Sequence, residues 1–228
     1  MVLLNNLNIE DKFNCKIIEF NPDATKFASI ASYWPKYALQ PVRVKSRERT
    51  FRNLNVKILF YGDYETTLEN ISKFIEESKE STFKYFNKYY DVSISEGDNK
   101  ENLINSNTKK IELEYEILNC YEDEKIITTN TSISLIINSP KSCYANLELR
   151  ANTNAISCIV KINDTEITVR NIKGNETIYI GSGKVVAGGK SKINDVDIWE
   201  FPKLNPGVNN ISINREDVSL TVKYCERW

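Results

Sequence analysis

The sequence predicts a mainly β protein, built from antiparallel sheet in two domains and containing one helix. Three observations predict it. Apolar and polar residues alternate with period two in several separate stretches. Val, Ile, Thr and Tyr, which favour strands, are frequent. Only one segment carries apolar residues at helical spacing.

Taken in chain order, the first distinctive element is Tyr33-Trp34-Pro35, an aromatic cluster in an expected loop. Aromatics placed this way are loop anchors on the core or interface hot spots. Val42 to Arg49 follows, with Arg43, Lys45, Arg47 and Arg49 at alternate places, so a strand would line all four on one face. That face is either plainly solvated or a protein contact. Thr66-Thr67-Leu68-Glu69 fits a capping box. Leu68, Ile71, Phe74 and Ile75 then form one stripe, which predicts a helix over roughly 67–80. Its exposed side carries Glu69, Glu76, Glu77 and Glu80, with Lys73 and Lys79 among them. The acidic side complements the basic strand, within one chain or between neighbours, and such complementarity fixes register between subunits. The candidate subunit-interface residues are therefore Tyr33, Trp34, Arg43, Lys45, Arg47, Arg49, Glu69, Glu76 and Glu77.

From Asp91 to Asn107 the chain is polar, with turn signals around short strands. Ile111-Glu112-Leu113-Glu114-Tyr115-Glu116-Ile117 alternates cleanly, so one face should be buried and the other acidic. The domain junction is expected between about Cys120 and Cys143, dividing the chain into 1–135 and 136–228. Beyond it, Ser132 to Ile137 and Val218 to Tyr224 alternate again, and the strands become short and regularly spaced, as in a sandwich.

Composition removes several function classes. There is no histidine, so Ser-His and Cys-His nucleophile schemes are excluded. The net charge of -1 gives no global nucleic-acid footprint. No apolar run is long enough to span a bilayer. The start, Met1 to Asn6, lacks the basic head and apolar core of a signal peptide, and folding in the cytosol is expected. The five cysteines are widely spaced with no C-x-x-C, which suits small core residues better than zinc or disulfides.

Two constellations mimic chemistry. Gly183 to Ser191 resembles a phosphate-binding loop, but five residues separate Gly183 from Gly189 where the motif needs four, and no helical stripe follows. A β-turn is the better reading. Asp195 and Asp197 would share a strand face, with Glu200 nearby, which could suit a hard cation or an acid–base pair. The competing reading is a solvated face with Val196 and Ile198 turned inward. Trp199, close to Phe201, is expected in the core. No catalytic residue, cofactor site or metal site is assigned.

The C-terminal stretch is the most informative. Phe201-Pro202-Lys203-Leu204-Asn205-Pro206-Gly207-Val208-Asn209 runs into a predicted hairpin, and the chain closes with Glu226-Arg227-Trp228. Pro206-Gly207 suits a tight turn, with Leu204 and Val208 expected to anchor its ends. This segment resembles the end of siphophage distal tail proteins, which close with an F-P-x-L-x-P-G-x-N turn, a hairpin and a terminal Arg-Trp. Upstream, the Gly174-Asn175 turn and the strands Thr177 to Ile180 and Lys184 to Val186 resemble the hairpin before that turn. Over the N-terminal part the resemblance lies in the order of elements.

The resemblance implies an N-terminal β-sandwich-like domain with one α-helix that closes into a hexameric ring, and a C-terminal galectin-like β-sandwich. It implies a structural, non-enzymatic role in a bacteriophage tail-tip baseplate, assembled in the host cytoplasm. The implied partners are further copies of this chain, the tail tube protein, the tape measure protein and the tail-associated hub protein, with no membrane and no nucleic acid. Family members that bind host sugars usually carry an added module between the C-terminal strands. No long insertion lies there, which counts against direct sugar recognition. Two rivals follow from the residues: a carbohydrate-binding module for host-surface attachment, which an exposed aromatic platform on the C-terminal sheet would favour, and a hydrolase using carboxylates only.

Overall fold

Period-two alternation does become antiparallel sheet, and the chain divides into two compact units, Met1–Cys120 and Tyr121–Trp228. The computed structural model describes residues 1–24, 26, 27, 36, 49, 50, 52–95, 100–105 and 107–228.

The first unit contains β1 (Val2–Leu4), β2 (Leu7–Asn8), α1 (Ile9–Phe13), β3 (Cys15–Pro22), β4 (Lys26–Phe27), β5 (Arg49–Thr50), β6 (Arg52–Tyr61), α2 (Tyr64–Ser78), β7 (Glu80–Tyr85), β8 (Lys88–Ile94), β9 (Lys100–Asn105) and all but the last two residues of β10 (Thr108–Glu122). One sheet runs β2-β1-β7-β8-β10-β6-β3, with β9 also on β10, and β4 pairs β5 separately. Along β10, Ile111, Leu113, Tyr115 and Ile117 are buried while Glu112, Glu114 and Glu116 are not, as the alternation predicts. They lie opposite Ile58, Val56, Leu54 and Arg52 of β6. The sheet curls on itself. Phe20 of β3, at one end of the strand order, meets Phe83 of β7 and Tyr90 of β8 edge to face, each with centroids 5.7 Å apart. A curled sheet encloses its own core, which is how a single sheet achieves a sandwich-like arrangement.

Helix α2 packs Ile71 and Phe74 inward, with Phe74 edge-on to Phe13 and Phe60. It starts earlier than the capping-box reading places it. The N-cap is Asp63, whose carboxylate accepts from the Thr66 N–H at 3.0 Å and the Thr66 hydroxyl at 2.7 Å. Thr66 is thus the third residue of the helix, and Thr67 is buried against the unit. The helix ends where Tyr115 donates to Ser78 Oγ at 2.8 Å and Ser78 donates to the Ile75 carbonyl at 3.2 Å.

The second unit contains β11 (Lys125–Thr129), β12 (Ser132–Ile137), β13 (Cys143–Ala151), β14 (Ala155–Ile162), β15 (Thr165–Ile172), β16 (Thr177–Gly181), β17 (Lys184–Ala187), β18 (Lys190–Ser191), a 3-10 turn (Ile193–Asp195), β19 (Val196–Asp197), β20 (Lys203–Leu204), β21 (Gly207–Ile213) and β22 (Val218–Tyr224). One sheet is ordered β11-β22-β13-β16-β17-β18, with β20 also on β13, and the other β12-β21-β14-β15-β19. Their inner faces share one apolar core that includes Leu147, Leu149, Val160, Ile167, Val169, Leu220 and Val222. This is a two-sheet sandwich. The division at Cys120–Tyr121 lies ahead of the expected 135/136 boundary. Residues 121–135 go with the second unit because β11 pairs β22 and β12 pairs β21.

Gly188-Gly189 is the β-turn expected in place of a phosphate loop. Both glycines have positive φ, 54° and 76°, and the turn joins β17 to β18. Cys15, Cys120, Cys143 and Cys158 are buried, Cys225 is half-buried, and none of the five is in a disulfide. Burial pushes the Cys15 thiol up to about 12 and those of Cys143 and Cys158 up to about 11, which keeps them inert.

Candidate functional site

Three features of the surface and its supports are built from named residues: the acidic side of α2, the C-terminal turn with the closing residues, and a cleft beside Trp199. On α2, Glu69, Glu76 and Glu77 are all exposed. Glu69 pairs with Lys73 at 3.1 Å along the helix, and Glu77 pairs with Lys12 of α1. Two of the three carboxylates therefore have a cation within the unit. Exposed pairs of this kind contribute little to stability and exchange readily for another cation. Tyr33, Trp34, Arg43, Lys45 and Arg47 lie outside the described residues. Arg49 is placed in β5, opposite Phe27.

Elsewhere on this unit, large apolar groups stand uncovered. The β7–β8 hairpin turns through Phe86, which has φ 54° and is 77% exposed. A bulky residue in the left-handed region carries backbone strain, and here the ring packs on Tyr85, centroids 4.4 Å apart, yet stays mostly exposed. Met1 is also exposed, and the β1–β7 register sets Val2 opposite Tyr85, so Met1 lies beside the same hairpin tip.

The Phe201 to Asn209 segment is organised by a residue whose role spacing does not reveal. Pro206-Gly207 makes the turn, with Gly207 at φ 91°. Leu204 is buried as expected. Val208 is instead 64% exposed, because the inward-facing places of β21 fall to Asn209, Ile211 and Ile213. The fully buried Asn209 side chain makes four hydrogen bonds. Nδ2 donates to the carbonyls of Asn205 (2.7 Å) and Gly207 (3.0 Å), and Oδ1 accepts from the Asn205 N–H (2.8 Å) and from Asn163 Nδ2 (2.9 Å). The turn is thus clamped from inside.

The closing residues are clamped too. Glu226 is buried, and its carboxylate accepts from the backbone N–H groups of Asn138 (3.0 Å) and Ser139 (2.9 Å) and from Lys125 Nζ (2.6 Å). The hydrogen bond from Lys125 to Glu226, reinforced by the attraction between their charges, raises the Lys125 ammonium above its usual range. Arg227 bridges Tyr121 and Lys141, and the Trp228 carbonyl accepts from Lys141 Nζ at 2.7 Å.

Near the other sheet, the carboxylates considered for a cation each have their own partner. Asp195 accepts from Lys192 (2.9 Å) and Asn171 (2.8 Å), and these hydrogen bonds hold it below the usual carboxylate range. Asp197 pairs with Arg170, and Glu200 with Lys203 at 2.6 Å. Asp195 sits in the 3-10 turn and Asp197 in β19, so they do not share a strand face. Among the described residues no group of three or more His, Cys, Asp or Glu side chains could hold a metal ion.

Trp199 corrects its expected place in the core. Ile198 and Phe201 pack against the core, while the bend between them leaves the indole of Trp199 fully exposed. It walls a cleft of about 420 Å³ lined also by Asp164, Thr165, Glu166, Thr168, Asp197 and Glu200.

No protein-family model matches the chain, and no curated protein matches it. Solved structures do. The crystal structure of the SPP1 Dit protein, described as a paradigm of the hub adsorption apparatus in phages infecting Gram-positive bacteria, superposes with a TM-score of 0.73 at 11% identity, covering 100% of this chain and 98% of that one. Chains of the phage P2 baseplate in its activated conformation, with Ca and with Sr, superpose with a TM-score of 0.50 at 11% identity, covering 92% of this chain and 90% of theirs. Likeness at this identity establishes a shared fold.

Proposed function

We propose that this chain is a structural, non-enzymatic component of a bacteriophage tail tip, which closes into a ring of six and joins the tail tube to the baseplate hub. The observation that carries this reading is the match to the SPP1 Dit protein, which covers 100% of this chain and so takes in both units. Chance likeness of a single sandwich would cover only one unit. The C-terminal motif adds independent support, because its turn and closing residues are the parts held by buried polar clamps. The uncovered Phe86 tip and the acidic side of α2 supply surface that a ring would use. A heterologous contact whose rotation closes gives such a ring.

In this reading the ring faces the tail tube protein and tape measure protein on one side and the tail-associated hub protein on the other. It sits in the virion, is assembled in the host cytoplasm, and works without cofactor, membrane or nucleic acid. The basic segment Arg43 to Arg49, with Tyr33 and Trp34, meets Glu69, Glu76 and Glu77 of the neighbouring subunit, displacing Lys12 and Lys73 from their present partners.

The test is the assembly state of the purified full chain, by light scattering after size exclusion and by negative-stain electron microscopy. Rings of six are expected. A chain that stays monomeric at every concentration overturns the proposal. Reversing Arg43, Arg47 and Arg49 to Glu is expected to abolish rings, and intact rings in that variant refute the charge pairing.

A further inference from the structure

The cleft beside Trp199 is unused by ring formation as proposed, and its chemistry is specific. One wall is a fully exposed indole, an arrangement that wastes apolar surface unless something stacks on it. The rest is polar: the hydroxyls of Thr165 and Thr168 and the carboxylates of Asp164, Glu166, Asp197 and Glu200. At about 420 Å³ it falls in the size range of small-ligand sites, roughly 300–1,000 Å³.

Three of the four carboxylates are in ion pairs. Glu166 pairs with Lys161 at 3.1 Å, Asp197 with Arg170, and Glu200 with Lys203 at 2.6 Å. Each cation lies outside the lining, and these half-exposed pairs lower the negative charge of the cleft while leaving further lone pairs to accept. With Asp164 outside these pairs, the cleft offers acceptors and an aromatic face at a residual charge of about one negative unit. A cationic ligand would need several unpaired carboxylates around the ring, and the lining offers Asp164 alone. A ligand with an apolar face and an edge of hydroxyl donors fits better, and a neutral pyranose has both.

We infer that the Trp199 cleft is a carbohydrate subsite, which stacks the C–H face of a neutral sugar ring on the indole and accepts its hydroxyls on Glu166, Asp197 and Glu200. The site needs no inserted module, because β15 and the bend after β19 build it. It stands or falls separately from ring assembly, since the lining belongs to the second unit alone.

The test uses the full chain on an array of neutral oligosaccharides of glucose, galactose and N-acetylglucosamine, with a lysine-rich peptide as the cationic comparison. Wild type is expected to bind at least one oligosaccharide and not the peptide. Trp199→Ala should weaken that binding about tenfold or more, as loss of a stacking aromatic does, and Trp199→Phe should retain much of it. In NMR spectra of wild type the Trp199 indole N–H resonance should shift with sugar, which reads the site without any variant. Absence of sugar binding, sugar binding that Trp199→Ala leaves unchanged, or binding of the peptide in place of sugar overturns the inference.

Discussion

Replacing Asn209 tests whether the Phe201 to Asn209 turn is held by its buried amide or by Pro206 and Gly207 alone. The Asn209→Ala variant removes four hydrogen bonds from a fully buried side chain. A neutral hydrogen bond contributes about 0.5–1.5 kcal/mol net, which brackets the loss at about 2–6 kcal/mol. Asn205 and Gly207 are themselves exposed, so water can reach their freed groups. That relief places the expected cost near the low end, about 2–3 kcal/mol. For a unit of roughly 100 residues this lowers the melting temperature by about 10 °C or more. Asn209→Asp keeps the shape but sets a carboxylate oxygen against the carbonyls of Asn205 and Gly207, so it should be at least as damaging. Urea unfolding of both variants, followed by far-ultraviolet circular dichroism, measures the cost. Variants within about 0.5 kcal/mol of wild type would refute the reasoning and assign the turn to its Pro-Gly backbone preferences.

Glu226→Ala strands the N–H groups of Asn138 and buried Ser139, and about 2–4 kcal/mol is expected to be lost in the same unfolding assay, with Glu226→Gln falling between it and wild type because one acceptor oxygen remains. Phe86→Asn places a residue tolerant of positive φ at the hairpin tip, so thermal denaturation should show the free subunit unharmed or stabilised by up to about 1 kcal/mol, while light scattering shows weaker self-association. Hydrogen bonds from the Thr66 backbone and hydroxyl hold the Asp63 carboxyl below its ordinary 3.8. Its contribution to α2 is therefore present above that value and is lost as pH falls through the lower folded-state value. The melting-temperature gap between wild type and Asp63→Ala should shrink between neutral pH and about pH 2.5.

The strand content, the single long helix, the inert cysteines and the C-terminal turn were legible in the sequence because each depends on neighbours within a few residues. Alternation along Ile111 to Ile117 states which face is buried, whatever the partner strand. A glycine pair states that a turn follows. Spacing also placed Glu69, Glu76 and Glu77 on an exposed helix side correctly.

Local pattern does not say which of two nearby residues turns inward at a bend, and that is where reading by spacing failed. Trp199 was expected inside and Val208 at the turn's anchor, yet Phe201 and Asn209 hold those places. The reason is that core space is allotted by strands distant in sequence. Asn163 meets Asn209, and Glu226 meets residues 138 and 139, with several strands between them in sequence. A buried polar clamp is visible only once both of its halves are placed. The sequence alone determined that this chain makes antiparallel sheet without histidine chemistry, because composition and period are one-dimensional properties. Only the tertiary structure decided which polar groups are clamps and which aromatic faces water, because burial is set by the packing of both sheets together.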